Sequence, residues 1–138
     1  AELFVRSLAS RRAHDGLADN IGNVLALMES QAFDDVIVET VGAGQSQYEV
    51  RELVDTLVVV LMPGAGDLVQ AVKAGILETG DIYVINKADR PGAKEMVAEI
   101  ASVLRHPADA DDWAPPVVLV SALSGEGLDA LDAAADQA

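Results

Sequence analysis

At 138 residues, with a formal net charge of −14, 51% hydrophobic side chains and no cysteine, the chain has the size of one domain that buries about two-thirds of its unfolded surface. The negative charge argues against a nucleic-acid backbone or an anionic membrane as partner, since either needs clustered Lys and Arg. Disulfides and a thiolate zinc site are excluded, two separated histidines make a poor metal cage, and no apolar run approaches the roughly 20 residues of a membrane span. A reducing cytoplasm is the compatible setting. The chain begins with Ala1, not Met, and reads as a processed chain or a fragment.

In chain order, Leu3-Phe4-Val5-Arg6-Ser7 reads as a short edge strand and Ser10 to Gly16 as a solvated loop. From Leu17 to Ala32 the residues Ile21, Val24, Leu25 and Met28 recur at helical spacing and mark one buried face. Val36 to Val38 is continuously apolar and β-branched, which predicts a strand covered on both faces. Glu39 and the glycine-rich stretch Thr40 to Ser46 follow, leading to a helix near Tyr48 to Val54. Thr56 to Met62 carries the strongest central-strand pattern of the chain. Its turn, Pro63-Gly64-Ala65-Gly66-Asp67, feeds a helix with Val69, Val72 and Ile76 on one face, and Asp67 suits its N-cap. Gln70 and Lys73, by spacing alone, are surface residues of that helix.

Ile82, Val84 and Ile85 predict a buried strand that delivers Asn86-Lys87-Ala88-Asp89 at its carboxyl end. The turn Arg90-Pro91-Gly92 then enters a helix from Ala93 to Leu104, with Met96, Val97, Ile100 and Leu104 on its buried face. The acidic run Asp109 to Asp112 is too closely spaced for a metal site. Val117 to Val120 is the last strand and Gly127 to Ala135 the last helix. Strand and helix alternate with short connections, so the fold class is α/β: a mostly parallel sheet with helices on both faces, because parallel neighbours need right-handed crossovers.

Three strand ends carry residues suited to a nucleotide. Ligands of open parallel sheets bind at the carboxyl edge. There the Asp89 carboxylate can accept both the ring N–H and the exocyclic amine of guanine, the Lys87 stem can lie across the purine, and the Asn86 amide can bond base and neighbouring loops. Adenine offers a different donor pattern. Thirty-two positions after Asp89, Ser121-Ala122-Leu123-Ser124-Gly125 stands where a second base-reading loop would place backbone N–H groups. An acid at a strand end, Glu39, suits a metal or its water shell, and Gly42 lets a backbone N–H approach a terminal phosphate. Gln45 and Ser46 are candidates for orienting water or sensing that phosphate. The alternative to each is structural: a polar turn at Asn86, a glycine-rich turn at Gly42.

Val-Glu-Thr-Val-Gly-Ala-Gly-Gln-Ser (38 to 46), Met-Pro-Gly-Ala-Gly-Asp (62 to 67), Gln-Ala-Val-Lys-Ala-Gly-Ile-Leu-Glu (70 to 78) and Val-Ile-Asn-Lys-Ala-Asp-Arg-Pro-Gly (84 to 92) together closely resemble the MeaB/ArgK group. These are GTPases that accompany adenosylcobalamin-dependent methylmalonyl-CoA mutase. The resemblance runs from about Phe4 to Leu128. It implies a P-loop NTPase-like, Rossmann-like three-layer fold and a chaperone-like role in loading and protecting the mutase's cofactor. By position it implies Glu39 in a Mg²⁺ shell, Gly42 facing the γ-phosphate and Gly44 to Ser46 in a switch. Asn86, Lys87 and Asp89 would bind the guanine of GTP or GDP, with Ser121, Ala122 and Leu123 completing the pocket. Asp67, Gln70 and Lys73 would form a further switch coupled to the mutase. Lys73, Asp67 and Gln45 are the catalytic candidates on this resemblance.

One feature of such a GTPase is missing. The 138 residues contain no Gly-x-x-x-x-Gly-Lys-Ser/Thr loop, whose amides and lysine hold the β- and γ-phosphates. The expectation is therefore a partial G domain over residues 1–138, truncated at its N-terminus, hardly hydrolytic alone and, in the intact protein, capable of forming a homodimer. Two alternatives stay open: a non-hydrolysing module that holds a guanine nucleotide or a partner, and an α/β domain whose Asn-Lys-Ala-Asp is incidental.

Overall fold

Parallel strands need cover on both faces, and the run Ile82–Ile85 has it. In the computed structural model, which describes residues 3–8, 20–31, 33–40, 50–64, 75–104 and 114–138, the chain forms two compact units, Ala1–Val54 and Asp55–Ala138.

The second unit is a three-stranded parallel sheet of β1 (Val58–Leu61), β2 (Ile82–Ile85) and β3 (Val117–Leu119), in the order β1-β2-β3. The register sets Val59 beside Tyr83 and Leu61 beside Ile85, then Tyr83 beside Val117 and Ile85 beside Leu119. Because side chains alternate across a strand, these residues share one face. There they pack with Met96 and Ile100 of the helix Ala93–Leu104, and with Ile76 and Leu77 of a short 3₁₀ turn, Ile76–Glu78. On the other face Ile82, Val84 and Val120 pack with Val118 and with Leu131 and Ala134 of the C-terminal helix Leu128–Ala135. All four residues of β2 are buried. The helix–sheet–helix layering is thus the α/β arrangement expected, and the helix Ala93–Leu104 has the predicted bounds.

Thr56 to Met62 is shorter than expected and, among the described residues, not central: β1 is an edge of the sheet. Its Val59 and Leu61 enter the core, whereas Val60 on the other face is 59% exposed. An apolar run signals that both faces favour burial, but it does not say which strand holds the middle. Ile76, expected on an α-helical face, is buried in the 3₁₀ turn after Gly75, whose φ is 69°.

Tyr83 fastens this turn. Its hydroxyl accepts from Gly80 N at 3.1 Å and donates to Ile76 O at 3.4 Å. A Cβ at Gly80 would lie 2.8 Å from the Tyr83 ring and from Val59, so any larger residue must displace one of these side chains. Burial pushes the Tyr83 phenol above its ordinary value of 10.0; the Gly80 amide partly offsets this, and the Asp81 charge adds to it. The folded pKa is the higher one, so the neutral phenol's contribution is complete below pH 10 and is lost as pH rises through the folded value. Stability is expected to decline at alkaline pH, and the decline should be shallower in Tyr83→Phe. Urea midpoints measured for both proteins from pH 8 upward check this; parallel curves would assign the decline to another group.

In the first unit, one α-helix spans Ile21–Ser30, inside the Leu17 to Ala32 expected. Ile21, Val24, Leu25 and Met28 are half-buried, and Ser30 Oγ caps the end by donating to Leu27 O at 2.6 Å. The rings of Phe4 and Phe33 lie 6.2 Å apart, a tilted aromatic pair. Two expected strands do not form among the described residues. Residues 3–8 and 33–40 have no strand, and Ile37 of the supposed two-face-buried run is 93% exposed. A strand exists through its ladder of hydrogen bonds, and neither segment has a ladder partner among the described residues. Of the helix expected near Tyr48 to Val54, residues 50 and 51 are helical and 52 and 53 form a turn, with Leu53 N donating to Val50 O at 2.9 Å. No helix among the described residues is long and apolar enough to cross a membrane.

Candidate functional site

All three parallel strands end at one edge of the sheet, so the segments after Leu61, Ile85 and Leu119 emerge side by side. The loop 86–89 is bonded to both neighbours. Asn86 N donates to Leu61 O at 2.9 Å on the β1 side, and Ala88 N to Val120 O at 3.0 Å on the β3 side. Asn86 Oδ1 accepts from Lys87 N at 2.7 Å and from Ala122 N at 3.1 Å. One side-chain oxygen thereby ties the two loops together. Lys87 has a φ of 62°, the only described non-glycine residue in the left-handed region. That conformation costs about 1–3 kcal/mol and is held only where the surroundings enforce it. Here the Asn86 bond and the Lys87 O to Arg90 N bond of 2.9 Å enforce it from either side.

The second loop closes on itself. Ser121 N donates to Glu126 O at 2.9 Å, forming a small antiparallel bridge, and Gly125 N donates to Ser121 O at 2.8 Å. Ser121 is buried while residues 122–126 are exposed. Its hydroxyl accepts from Ser124 N at 3.4 Å and stands 3.4 Å from Asp89 Oδ1. With a donor already behind it, the hydroxyl proton is directed at the carboxylate. Asp89 is itself exposed, so a fixed carboxylate faces solvent beside two loops of backbone amides. Such a group accepts from two adjacent N–H donors of one flat ligand.

The structure thus brings Asn86, Lys87, Asp89, Ser121 and Ala122 together. Leu123 is 93% exposed on the same loop. Glu39 is exposed and belongs to the first unit. No group of three or more His, Cys, Asp or Glu able to hold a metal occurs among the described residues, and one lone carboxylate does not make a Mg²⁺ site without phosphate oxygens. Gly42, Gly44, Gln45, Ser46, Asp67, Gln70 and Lys73 lie outside the described residues. Sequence reading passed over Glu126, whose carbonyl closes the second loop; the run Gly125-Glu126-Gly127, two glycines flanking one residue just before a helix, is the signal that could have found it.

The profile of the family described as methylmalonyl-CoA mutase-associated GTPase MeaB matches residues 1–137. A relative from Caulobacter vibrioides is 41% identical over 138 residues, covering 95% of this chain and 41% of the relative. GTPase ArgK of Escherichia coli is 36% identical over 132 residues, covering 91% and 39%. The mouse mitochondrial methylmalonic aciduria type A homolog is 34% identical over 129 residues, covering 91% and 31%. The chain therefore spans about two-fifths or less of the length of these relatives. With a match along nearly its whole length, the chain belongs to the MeaB family of GTPases.

Proposed function

We propose that the loops 86–89 and 121–126 form the guanine-reading end of a GTP/GDP site. The single observation that carries this is the Ser121 hydroxyl at Asp89 Oδ1, 3.4 Å away, across 32 residues of sequence. Asp89 reads the ring N–H and the amine of the base, Asn86 joins the two loops, Lys87 lies along the purine, and Ala122 and Leu123 complete the pocket. The family description and the mouse relative's name support an association with an adenosylcobalamin-dependent mutase, for which the protein acts as a GTP-hydrolysing chaperone of cofactor loading. Glu39 joins a Mg²⁺ shell together with phosphate oxygens and water, and Gly42 faces the γ-phosphate. Lys73, Asp67 and Gln45 serve the hydrolysis, Asp67, Gln70 and Lys73 form the switch that couples the nucleotide to the mutase, and the whole protein is a cytoplasmic homodimer.

A second reading has its own observation. The 138 residues include no phosphate-binding loop, and phosphoryl transfer rests almost wholly on positioning and charge stabilisation. Taken alone, these residues hold a guanine nucleotide or a partner without turnover. Isothermal titration of the chain with GDP and ADP tests the base assignment. GDP is expected to bind at least about tenfold more tightly, the discrimination of one well-placed hydrogen-bond pair. Equal affinities would sink it. Phosphate release from GTP, measured on the same protein, separates the two readings.

A further inference from the structure

We infer that Gly127, which neither touches the base nor belongs to either loop, is a positioning residue for Asp89; this rests on the guanine-site reading above. Gly127 precedes the helix Leu128–Ala135 with a φ of 79°, and its Cα is pressed against the end of β3. A Cβ there would sit inside the contact radius of the Leu119 carbonyl oxygen, and 3.3 Å from Val120 Cα. Both obstacles are backbone, and neither can rotate away as a flexible side chain would.

The consequence runs along consecutive bonds. Residue 126, adjacent to Gly127, accepts the Ser121 N–H through its carbonyl at 2.9 Å, and the Ser121 hydroxyl stands at Asp89 Oδ1. Val120, beside the obstructed point, donates to Ile85 O at 2.8 Å and accepts from Ala88 N at 3.0 Å. A methyl group at 127 must push residues 126–127 away from 119–120. Either displacement moves Ser121, or the backbone holding Ala88, relative to Asp89. The close approach of two backbones at Gly127 is what lets one loop orient the carboxylate of the other.

Gly92 provides the control. Its φ is 89°, so alanine there suffers the same left-handed strain, yet its Cβ would meet nothing closer than Pro63 Cβ at 3.9 Å. Gly127→Ala and Gly92→Ala are compared with the unaltered chain by titration with GDP and ADP, counting only folded protein. Gly127→Ala is expected to lose about tenfold to a hundredfold in GDP affinity and to narrow the GDP-to-ADP ratio. Gly92→Ala should lose stability but keep both values. A merely structural role lowers the folded fraction and leaves the ratio untouched. Unchanged GDP binding by folded Gly127→Ala, or equal losses in the two variants, would overturn the inference. If Gly127→Ala does not fold, hydrogen exchange in the unaltered chain decides: GDP should slow the Ser121 amide more than the Met96 amide, and equal slowing would overturn it. If the unaltered chain shows no preference for GDP, the guanine reading itself has failed; if it does and Asp89→Asn abolishes that preference while Gly127→Ala does not, only the role of Gly127 has.

Discussion

Asp89→Asn is expected to weaken GDP binding by about a hundredfold or more and to create binding of xanthosine diphosphate where there was little. The size follows from what the carboxylate does. Hydrogen bonds to a charged acceptor are worth about 1.5–3 kcal/mol each, and on the proposed guanine reading Asp89 presents two oxygens to two donors of the base. Asparagine keeps one acceptor but turns an N–H₂ toward the guanine amine, so one bond is lost and two donors oppose each other. Xanthine carries an oxygen in place of that amine and restores the match. The fold should be unaffected, because Asp89 is exposed and Ser121 can still donate to the asparagine oxygen. Titration of both proteins with both nucleotides is the measurement. Undiminished GDP binding, with no gain for the xanthine nucleotide, would show that Asp89 does not read the base.

The second large effect concerns stability. Ile85→Ala should lower the free energy of unfolding by about 2–5 kcal/mol, the range for truncating a fully buried branched side chain. Ile85 is 0% exposed and packs among Leu61, Met96 and Ile100. A domain's whole stability is about 5–15 kcal/mol, so the variant should unfold at a markedly lower urea concentration with an unchanged slope. The damage reaches the site, because Ile85 precedes Asn86 and its carbonyl receives the Val120 amide at 2.8 Å. Ile37→Ala is the contrast. That side chain is 93% exposed, and its truncation should change stability by less than about 0.5 kcal/mol. Equal losses at the two positions would mean that the run 36–38 is buried after all.

These two isoleucines mark where sequence reasoning succeeds. Both sit in apolar, β-branched runs of nearly the same character, Val-Ile-Val at 36–38 and Ile-Tyr-Val-Ile at 82–85. Among the described residues, only the second has parallel partners on either side and a helix over each face. Composition along the chain registers a preference for burial, while the partners that satisfy it come from elsewhere. For the same reason Thr56 to Met62 reads as a central strand and, among the described residues, stands at an edge.

The helix Ala93–Leu104 was fully legible, since its spacing of Met96, Val97, Ile100 and Leu104 is a local property that survives in any tertiary setting. The placement of Asn86-Lys87-Ala88-Asp89 and Ser121-Ala122 after buried strands was legible as well, because apolar runs mark those strands. What the residues alone determined is which groups are chemically able to read a guanine, and that the strands preceding them favour burial. Only the tertiary structure decided that Asp89 and Ser121 meet, that one asparagine oxygen holds both loops, and that a glycine beyond them packs against the backbone at the end of β3. Hydrogen bonds between residues 32 and 36 positions apart depend on the register of a parallel sheet, and register is fixed by packing across strands, which no single segment contains.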